Sequence, residues 1–126
     1  MVTPDDRRYF AEHTWAQTQG DVATVGITDH AQEELGDIVY IELPKLDAAV
    51  QQGSSMGEIE SVKTVSDLIS PVTGTVVERN EATVERPETI NSDPYGAGWL
   101  VRVRLTDAGE ATGLLSAADY LALTRS

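Results

Sequence analysis

The sequence predicts a mainly β fold, a β-sandwich or partly closed barrel with two short helices. Short runs rich in β-branched residues are separated by Gly, Pro, Asn, Asp and Ser, the residues that form turns. Helix signals are clearest near residues 29–35, where a capping pattern occurs, and after residue 106, where the apolar spacing becomes helical. With 126 residues, 40% of them hydrophobic, the chain should form one domain over residues 1–126 with a small core.

The predicted elements begin with polar residues 1–8, which are expected to be flexible. Residues 14–18 and 22–27 are predicted to pair as a hairpin. The residues between these two runs include Gly and Asp, which favour a tight turn.

A short helix is predicted over residues 29–35. Asp29 and Gln32 have the spacing of a capping box, in which side chains satisfy the free N–H groups at a helix start. Gly36 is expected to end the helix, because glycine adopts a positive φ without strain. Residues 37–43 then alternate sufficiently to form a strand.

The rest of the chain is predicted to consist of strands joined by polar connections and closed by a helix. In order, the elements are a loop at 45–55 with a helical turn at 47–50, hairpin arms at 56–61 and 64–69, a turn at 71–74, a strand at 75–79, a loop at 80–89, a turn-rich segment at 91–98, a strand at 99–105 and a helix at 116–124. Ser116 and Asp119 are the predicted N-cap pair of that last helix.

The functional prediction depends on Lys63. It lies between Val62 and Thr64, where two β-branched runs meet with no Gly or Pro between them, and this predicts a tight hairpin with the lysine at its tip. A lysine on a stiff hairpin is within reach of another enzyme. Nothing in the flanking sequence would bury the amine, so the pattern favours an acylated lysine over a catalytic one.

The composition argues against several other classes. The formal net charge is −12 at pH 7, whereas nucleic-acid binding needs clustered Lys and Arg. The chain has no Cys, and its two His lack a third ligand at metal spacing. No apolar run is long enough to span a membrane, and the acidic start has no signal-peptide pattern. These features predict a cytoplasmic monomer of the bacterial type.

Three parts of the chain resemble the glycine cleavage system H protein family, in the order in which the family has them. The lysine segment resembles the lipoyl-lysine segment of that family, and two other segments are similar to its further signature blocks. The segments are Val25-Gly26-Ile27-Thr28-Asp29-His30-Ala31-Gln32 with residues 35–44, Glu60-Ser61-Val62-Lys63-Thr64-Val65-Ser66-Asp67-Leu68 with residues 70–80, and Asn91-Ser92-Asp93-Pro94-Tyr95-Gly96-Ala97-Gly98-Trp99-Leu100. The resemblance implies the barrel-sandwich hybrid of lipoyl and biotinyl carriers, with an added C-terminal helix.

The resemblance also implies a carrier rather than an enzyme, with lipoate joined to Lys63 by a lipoyl-attaching enzyme. The arm would take an aminomethyl group from a pyridoxal-phosphate (PLP) glycine decarboxylase to a tetrahydrofolate-dependent aminomethyltransferase. A dihydrolipoyl dehydrogenase that uses FAD would reoxidise the arm. About ten bonds, each projecting roughly 1.25 Å, give the arm a reach on the order of 12–14 Å.

The family protects the loaded arm in a surface cleft, and here the sequence departs from the family pattern. Thr14 stands where the family often has Glu, and Glu34 stands where some members have His. Glu34 is therefore expected to pair directly with the cationic cargo, with Glu12 as a further carboxylate. The residues predicted to serve recognition or the cleft, besides Lys63, are Glu60, Ser61, Val62, Thr64, Asp67, Glu12, Thr14, His30 and Glu34.

Several alternatives stay open at this point. A lipoyl reservoir that donates its group to the carrier domains of 2-oxoacid dehydrogenases would use the same lysine. Biotin carriers typically have Met on both sides of the lysine, and 2-oxoacid dehydrogenase carriers have Asp before it, where this chain has Val62 and Thr64 as neighbours. The remaining alternative is an acidic β-sandwich interaction module with an ordinary surface lysine.

Overall fold

The structure of the protein is a computed structural model, and it describes residues 2–124. The strands of this part of the chain are β1 (Arg8–Phe10), β2 (Thr14–Gln19), β3 (Val22–Ile27), β4 (Ile38–Glu42), β5 (Ala49–Val50), β6 (Ser55–Ser61), β7 (Val65–Ile69), β8 (Gly74–Arg79) and β9 (Val101–Leu105). The helices are α1 (Asp29–Leu35), α2 (Glu81–Glu85), α3 (Glu88–Ser92), α4 (Gly109–Thr112) and α5 (Ala117–Thr124).

Two antiparallel sheets contain all of these strands. The larger sheet has six strands in the order β1-β2-β3-β9-β8-β5, and the smaller one has three in the order β4-β6-β7. Hairpins join β2 to β3 and β6 to β7, whereas β3 pairs with the distant strand β9. The mainly β fold, with helix α1 and the C-terminal helix α5, confirms the predicted fold class.

The core lies between the two sheets and fixes the smaller one in position. Val25 and Val103 of the larger sheet belong to the same buried cluster as Ile41, Ile59 and Leu68 of the smaller sheet, and none of these side chains is more than 2% exposed. Burying a side chain of this kind stabilises the fold by about 1.5–3 kcal/mol. The roots of the β6–β7 hairpin are therefore held rigidly, while its tip projects beyond the core.

A second, aromatic cluster attaches helix α5 to the larger sheet. Tyr9, Trp15 and Tyr120 are at most 1% exposed, and the rings of Tyr9 and Tyr120 stack with their centroids 4.9 Å apart. Aromatic pairs of this geometry contribute about 0.5–1.5 kcal/mol beyond the area they bury. The C-terminal helix is thus part of the folded body and reaches the turn that precedes β2.

The loop predicted at residues 80–89 is wrong, because this segment forms α2 and the start of α3. The segment is mostly polar. Its two helices pack through one buried side chain each, Thr83 in α2 and Ile90 in α3, both 0% exposed. Pro87 immediately precedes α3, where its fixed φ suits the start of a helix. The Asn80 amide does not cap α2 and instead donates to the carbonyls of Ala97 and Trp99.

The helical turn predicted at residues 47–50 is also wrong. Asp47 has a φ of 68°, which breaks any helix there, and Ala49 and Val50 form β5 instead. Ala49 pairs with Thr75, and Val50 pairs with Gly74. The pairing with β8 prevails over the weak local helix propensity.

The predicted capping box of α1 needs a correction of one residue. Thr28, not Asp29, is the N-cap, because its Oγ1 accepts a hydrogen bond from the N–H of Ala31. Asp29 is the first helical residue, and its carboxylate accepts hydrogen bonds from Gln32 Nε2 and from the N–H of Val2. The flexibility expected for residues 1–8 stays a prediction.

Candidate functional site

Lys63 lies at the tip of the β6–β7 hairpin. The N–H of Ser61 donates to the carbonyl of Thr64 at 2.8 Å, and this hydrogen bond closes a tight turn with Val62 and Lys63 as its two central residues. The buried Oγ of Ser61 accepts hydrogen bonds from the N–H groups of Lys63 and Thr64, at 3.2 Å each. Ser61 therefore holds the backbone of the tip from inside, and the lysine side chain remains exposed.

The tip is also attached to the connection between α1 and β4. The N–H of Val62 donates to the carbonyl of Asp37 at 3.0 Å. The side chain of Lys63 does not stand straight off the tip but leans over Gly36, the residue that ends α1. The end of the lysine side chain thus lies against the backbone of Gly36, and Lys63 is nevertheless exposed.

A cleft of about 270 Å³ opens beside the tip. One wall is formed by Thr64 and strand β7, and the other by helix α1 together with the turn at residues 12–14. Because Thr64 is the direct neighbour of Lys63, a chain attached to the lysine would begin next to the mouth of this cleft.

The cleft combines an apolar lining with a few polar groups. Ile27, Leu35, Ile59 and Leu68 contribute apolar surface. The side chain of Thr14 is 2% exposed, and its Oγ1 has no hydrogen-bond partner among the described residues. A buried hydroxyl without a partner is costly, and it gains stability when a bound group supplies the missing hydrogen bond.

Two of the predicted cleft carboxylates, Glu12 and Glu34, lie on the lining of this cleft. The structure adds that Glu34 is already engaged, because its Oε1 lies 2.7 Å from His30 Nε2. His30 does not line the cleft, and its ring centroid lies 4.6 Å from that of His13. His30 therefore contacts two residues of the cleft lining, Glu34 and His13, without lining the cleft itself.

His13 is a cleft residue that sequence reasoning did not select. Its Nδ1 shares a hydrogen bond of 2.7 Å with the hydroxyl of Tyr120, and that hydroxyl shares another of 2.7 Å with Thr28 Oγ1. Burial lowers the pKa of His13, and the neighbouring imidazole of His30 lowers it further. Burial also raises the pKa of Tyr120 to about 12, so its hydroxyl stays protonated near neutral pH.

The residues predicted to serve recognition occupy different positions. Glu60 is exposed and lies between Tyr40 and Val65 in the pairing of β4, β6 and β7. Asp67 lines the cleft, and its Oδ1 accepts a hydrogen bond from Ser55 Oγ at 3.3 Å. Val62 is 67% exposed. Val62 thus lies in the tip, Glu60 on the strand just before it, and Asp67 further along the hairpin, opposite Glu58.

Two other kinds of site receive no support in the part of the chain that the structure describes. Within residues 2–124, no group of three or more His, Cys, Asp or Glu side chains is arranged to hold a metal ion. None of the helices described has both the length and the apolar character needed to cross a membrane.

Comparison with known proteins gives consistent matches. The family model described as "Glycine cleavage H-protein" matches residues 7–126. Proteins named "Glycine cleavage system H protein" are 57% identical in Beutenbergia cavernae, over 98% of each chain, and 57% identical in Rubrobacter xylanophilus, over 93% of this chain and 90% of the relative. A crystal structure of a glycine cleavage system H protein from Mycobacterium marinum is 46% identical, with a TM-score of 0.89, and the match covers 98% of this chain and 99% of that one.

Proposed function

Because this chain belongs to the glycine cleavage H-protein family and is therefore a lipoyl carrier of glycine cleavage, we propose that Lys63 bears the lipoyl group. The observation that carries the proposal is the exposed lysine on a two-residue tip, held by Ser61 and adjoining a cleft. In the proposed attachment, the neutral Nζ attacks the lipoyl carboxyl carbon activated as an acyl adenylate by an ATP-dependent ligase. The C–N bond of the amide forms, the bond to AMP breaks, a proton is lost from the nitrogen, and the ammonium charge is removed. The product is a neutral, flexible arm on a rigid support.

The residues of the cleft fit such an arm. The apolar lining suits the methylene groups and sulfur atoms of the lipoyl arm. The unpartnered hydroxyl of Thr14 and the carboxylates of Glu12 and Glu34 suit the polar, cationic end of a loaded arm. When bound, lipoate supplies a cyclic disulfide that can accept and release an aminomethyl group. The protein's own contribution is to exclude water, supply negative charge at the cleft and present the arm to partners.

The partners that we propose are those of glycine cleavage. They are the PLP-dependent glycine decarboxylase, the tetrahydrofolate-dependent aminomethyltransferase, the FAD-containing dihydrolipoyl dehydrogenase and a lipoyl-attaching enzyme. The net charge of −12 suits approach to basic surfaces around the entrances of larger enzymes.

The experiment that tests this function is reconstitution with a glycine decarboxylase. The lipoylated protein is expected to support isotope exchange between carbon dioxide and the carboxyl group of glycine, whereas the protein without lipoate is expected to support none. Exchange is followed with labelled bicarbonate at increasing carrier concentration. Equal exchange with and without lipoate would contradict the proposed function.

Glu34 is expected to help retain the aminomethyl cargo. The Glu34→Gln variant removes the negative charge at the cleft, so loss of the cargo to water should become about two- to five-fold faster; the effect is small because the side chain is 66% exposed. The rate of ammonia release measures this loss. Glu33→Gln is the matched control, because Glu33 is an exposed neighbour that does not line the cleft. Equal rates for the two variants would contradict the role of Glu34.

A further inference from the structure

The segment that joins α1 to β4 consists of Gly36, Asp37 and Ile38, the first residue of β4, and is called the 36–38 connection. It touches the lysine hairpin at two points. Its Asp37 carbonyl accepts the hydrogen bond from Val62 N–H at 3.0 Å. A Cβ built on Gly36 would lie 3.0 Å from Lys63 Cε, 3.6 Å from Cδ and 3.7 Å from Nζ. The end of the lysine side chain therefore lies across the bare backbone of Gly36, at the end of the helix that forms one wall of the cleft.

A single side chain fixes the 36–38 connection. Asn91 Nδ2 donates to the carbonyl of Gly36 at 2.9 Å and to Gln32 Oε1 at 3.0 Å, and its Oδ1 accepts from the N–H of Ile38 at 2.9 Å. Asn91 thus satisfies backbone groups on both sides of Asp37, whose carbonyl holds the tip. The position of the connection is set by the fold rather than by the lysine.

We propose that Gly36 is a positioning residue for Lys63, and that the 36–38 connection directs the lysine along α1 towards the cleft. A Cβ at Gly36 would lie 3.0 Å from Lys63 Cε, so the end of the lysine would have to shift by a few tenths of an ångström away from the backbone on which it rests. A free lysine side chain samples many rotamers, and one resting on fixed backbone samples fewer. The amine is then offered to an attaching enzyme in a nearly constant position. This inference rests on the proposed role of Lys63 as the attachment site.

The test compares Gly36→Ala with Gly20→Ala. Both glycines have a positive φ, 78° and 66°, so both substitutions introduce backbone strain, but a Cβ on Gly20 would meet nothing within 4 Å. The probe is lipoate with an ATP-dependent lipoate ligase, and attachment is measured by intact mass over time. We expect kcat for Gly36→Ala to fall about three-fold with KM unchanged, because a displacement of a few tenths of an ångström costs less than the roughly 10²-fold that a misplacement near 1 Å costs. Gly20→Ala should behave like the wild type.

A second reaction separates positioning from folding. Acylation of Lys63 by a small succinimidyl ester needs only an exposed amine, so its rate should be the same in the wild type and both variants. A parallel fall in the ligase and ester rates of Gly36→Ala would overturn the inference, because it would show lost exposure rather than lost positioning. Equal kcat values for Gly36→Ala and Gly20→Ala would overturn it as well.

Asn91→Asp provides an independent variant if Gly36→Ala does not fold. Aspartate keeps an acceptor for Ile38 N–H but has no N–H for the carbonyl of Gly36, so kcat should fall about three-fold, consistent with a change near 0.6 kcal/mol in a partly compensated hydrogen bond. An unchanged kcat would count against the inference. If instead the wild-type protein did not accept lipoate, the proposed function itself would be contradicted. Failure of this inference can therefore be distinguished from failure of the proposed function.

Discussion

Replacing Lys63 by Arg is expected to give a folded protein that carries no lipoyl group. The guanidinium keeps the positive charge and the long stem, but it is not a nucleophile that forms the required amide. Because the side chain is exposed at the hairpin tip, the free energy of unfolding should change by no more than about 0.5 kcal/mol. Intact-mass measurement after incubation with lipoate, ATP and a lipoate ligase gives the result directly.

Lys45→Arg is the matched control for that experiment. Lys45 is the only other lysine of the chain, and it is also exposed. It lies just after β4, outside the lining of the cleft. The Lys45→Arg variant should gain the full lipoyl mass at the wild-type rate. A lipoyl mass on Lys63→Arg would show that the group is attached elsewhere, and the swinging-arm role of the hairpin would be lost.

The hairpin could be predicted because its information is local. Two β-branched runs around Lys63 predict two strands and a tight turn, and α1 follows from a local capping signal followed by Gly36. The two short helices of residues 81–92 could not be predicted in the same way. Each depends on one buried side chain, Thr83 or Ile90, in an otherwise polar sequence, so hydrophobic periodicity carries almost no signal there.

Contacts around the cleft could likewise be predicted only where the two residues are close in the sequence. Glu12, Thr14 and Glu34 were assigned to the cleft by comparison with the family pattern at positions where this sequence departs from it, and not from a local sequence signal. The pairing of Glu34 with His30 follows from their separation of four residues on α1. The contact of His13 with Tyr120 could not be anticipated, because 107 positions separate these residues and a left-handed backbone at His13, with a φ of 68°, turns its ring towards α5.

Replacing Gly57 by Ala is expected to be the most destabilising of the substitutions considered. A Cβ at this position would lie 2.0 Å from the backbone oxygen of Glu42 on the neighbouring strand and 3.2 Å from its carbonyl carbon. Backbone atoms of a paired strand cannot move aside as a flexible side chain can. The pairing of β4 with β6 must therefore open near Glu58, the residue paired with Glu42, at the place where β6 already carries a register shift against β7.

The free energy of unfolding should fall by at least about 3 kcal/mol, which is the upper part of the range for overpacking, because the obstacle is backbone. For a domain of this size, the melting temperature should fall by about 10 °C or more. Urea unfolding followed by tryptophan fluorescence measures the change. Gly113→Ala is the control, because its Cβ would meet nothing closer than the Glu110 carbonyl oxygen at 3.5 Å, an ordinary contact.

The Gly57 variant also tests whether the tip depends on the roots of its hairpin. Lys63 is six residues from Gly57, and its position is set by β6, which carries Ser61 and is held between β4 and β7. The bond from the N–H of Val62 to the carbonyl of Asp37 lies at the other end of the β4–β6 pairing, next to the pair of Ile38 and Ser61, so it is lost where the opening spreads along the whole of β4. Lipoate attachment should then slow even at temperatures at which the variant remains mostly folded. Wild-type stability and wild-type attachment in Gly57→Ala would show that β4 and β6 tolerate a separation that this packing does not permit.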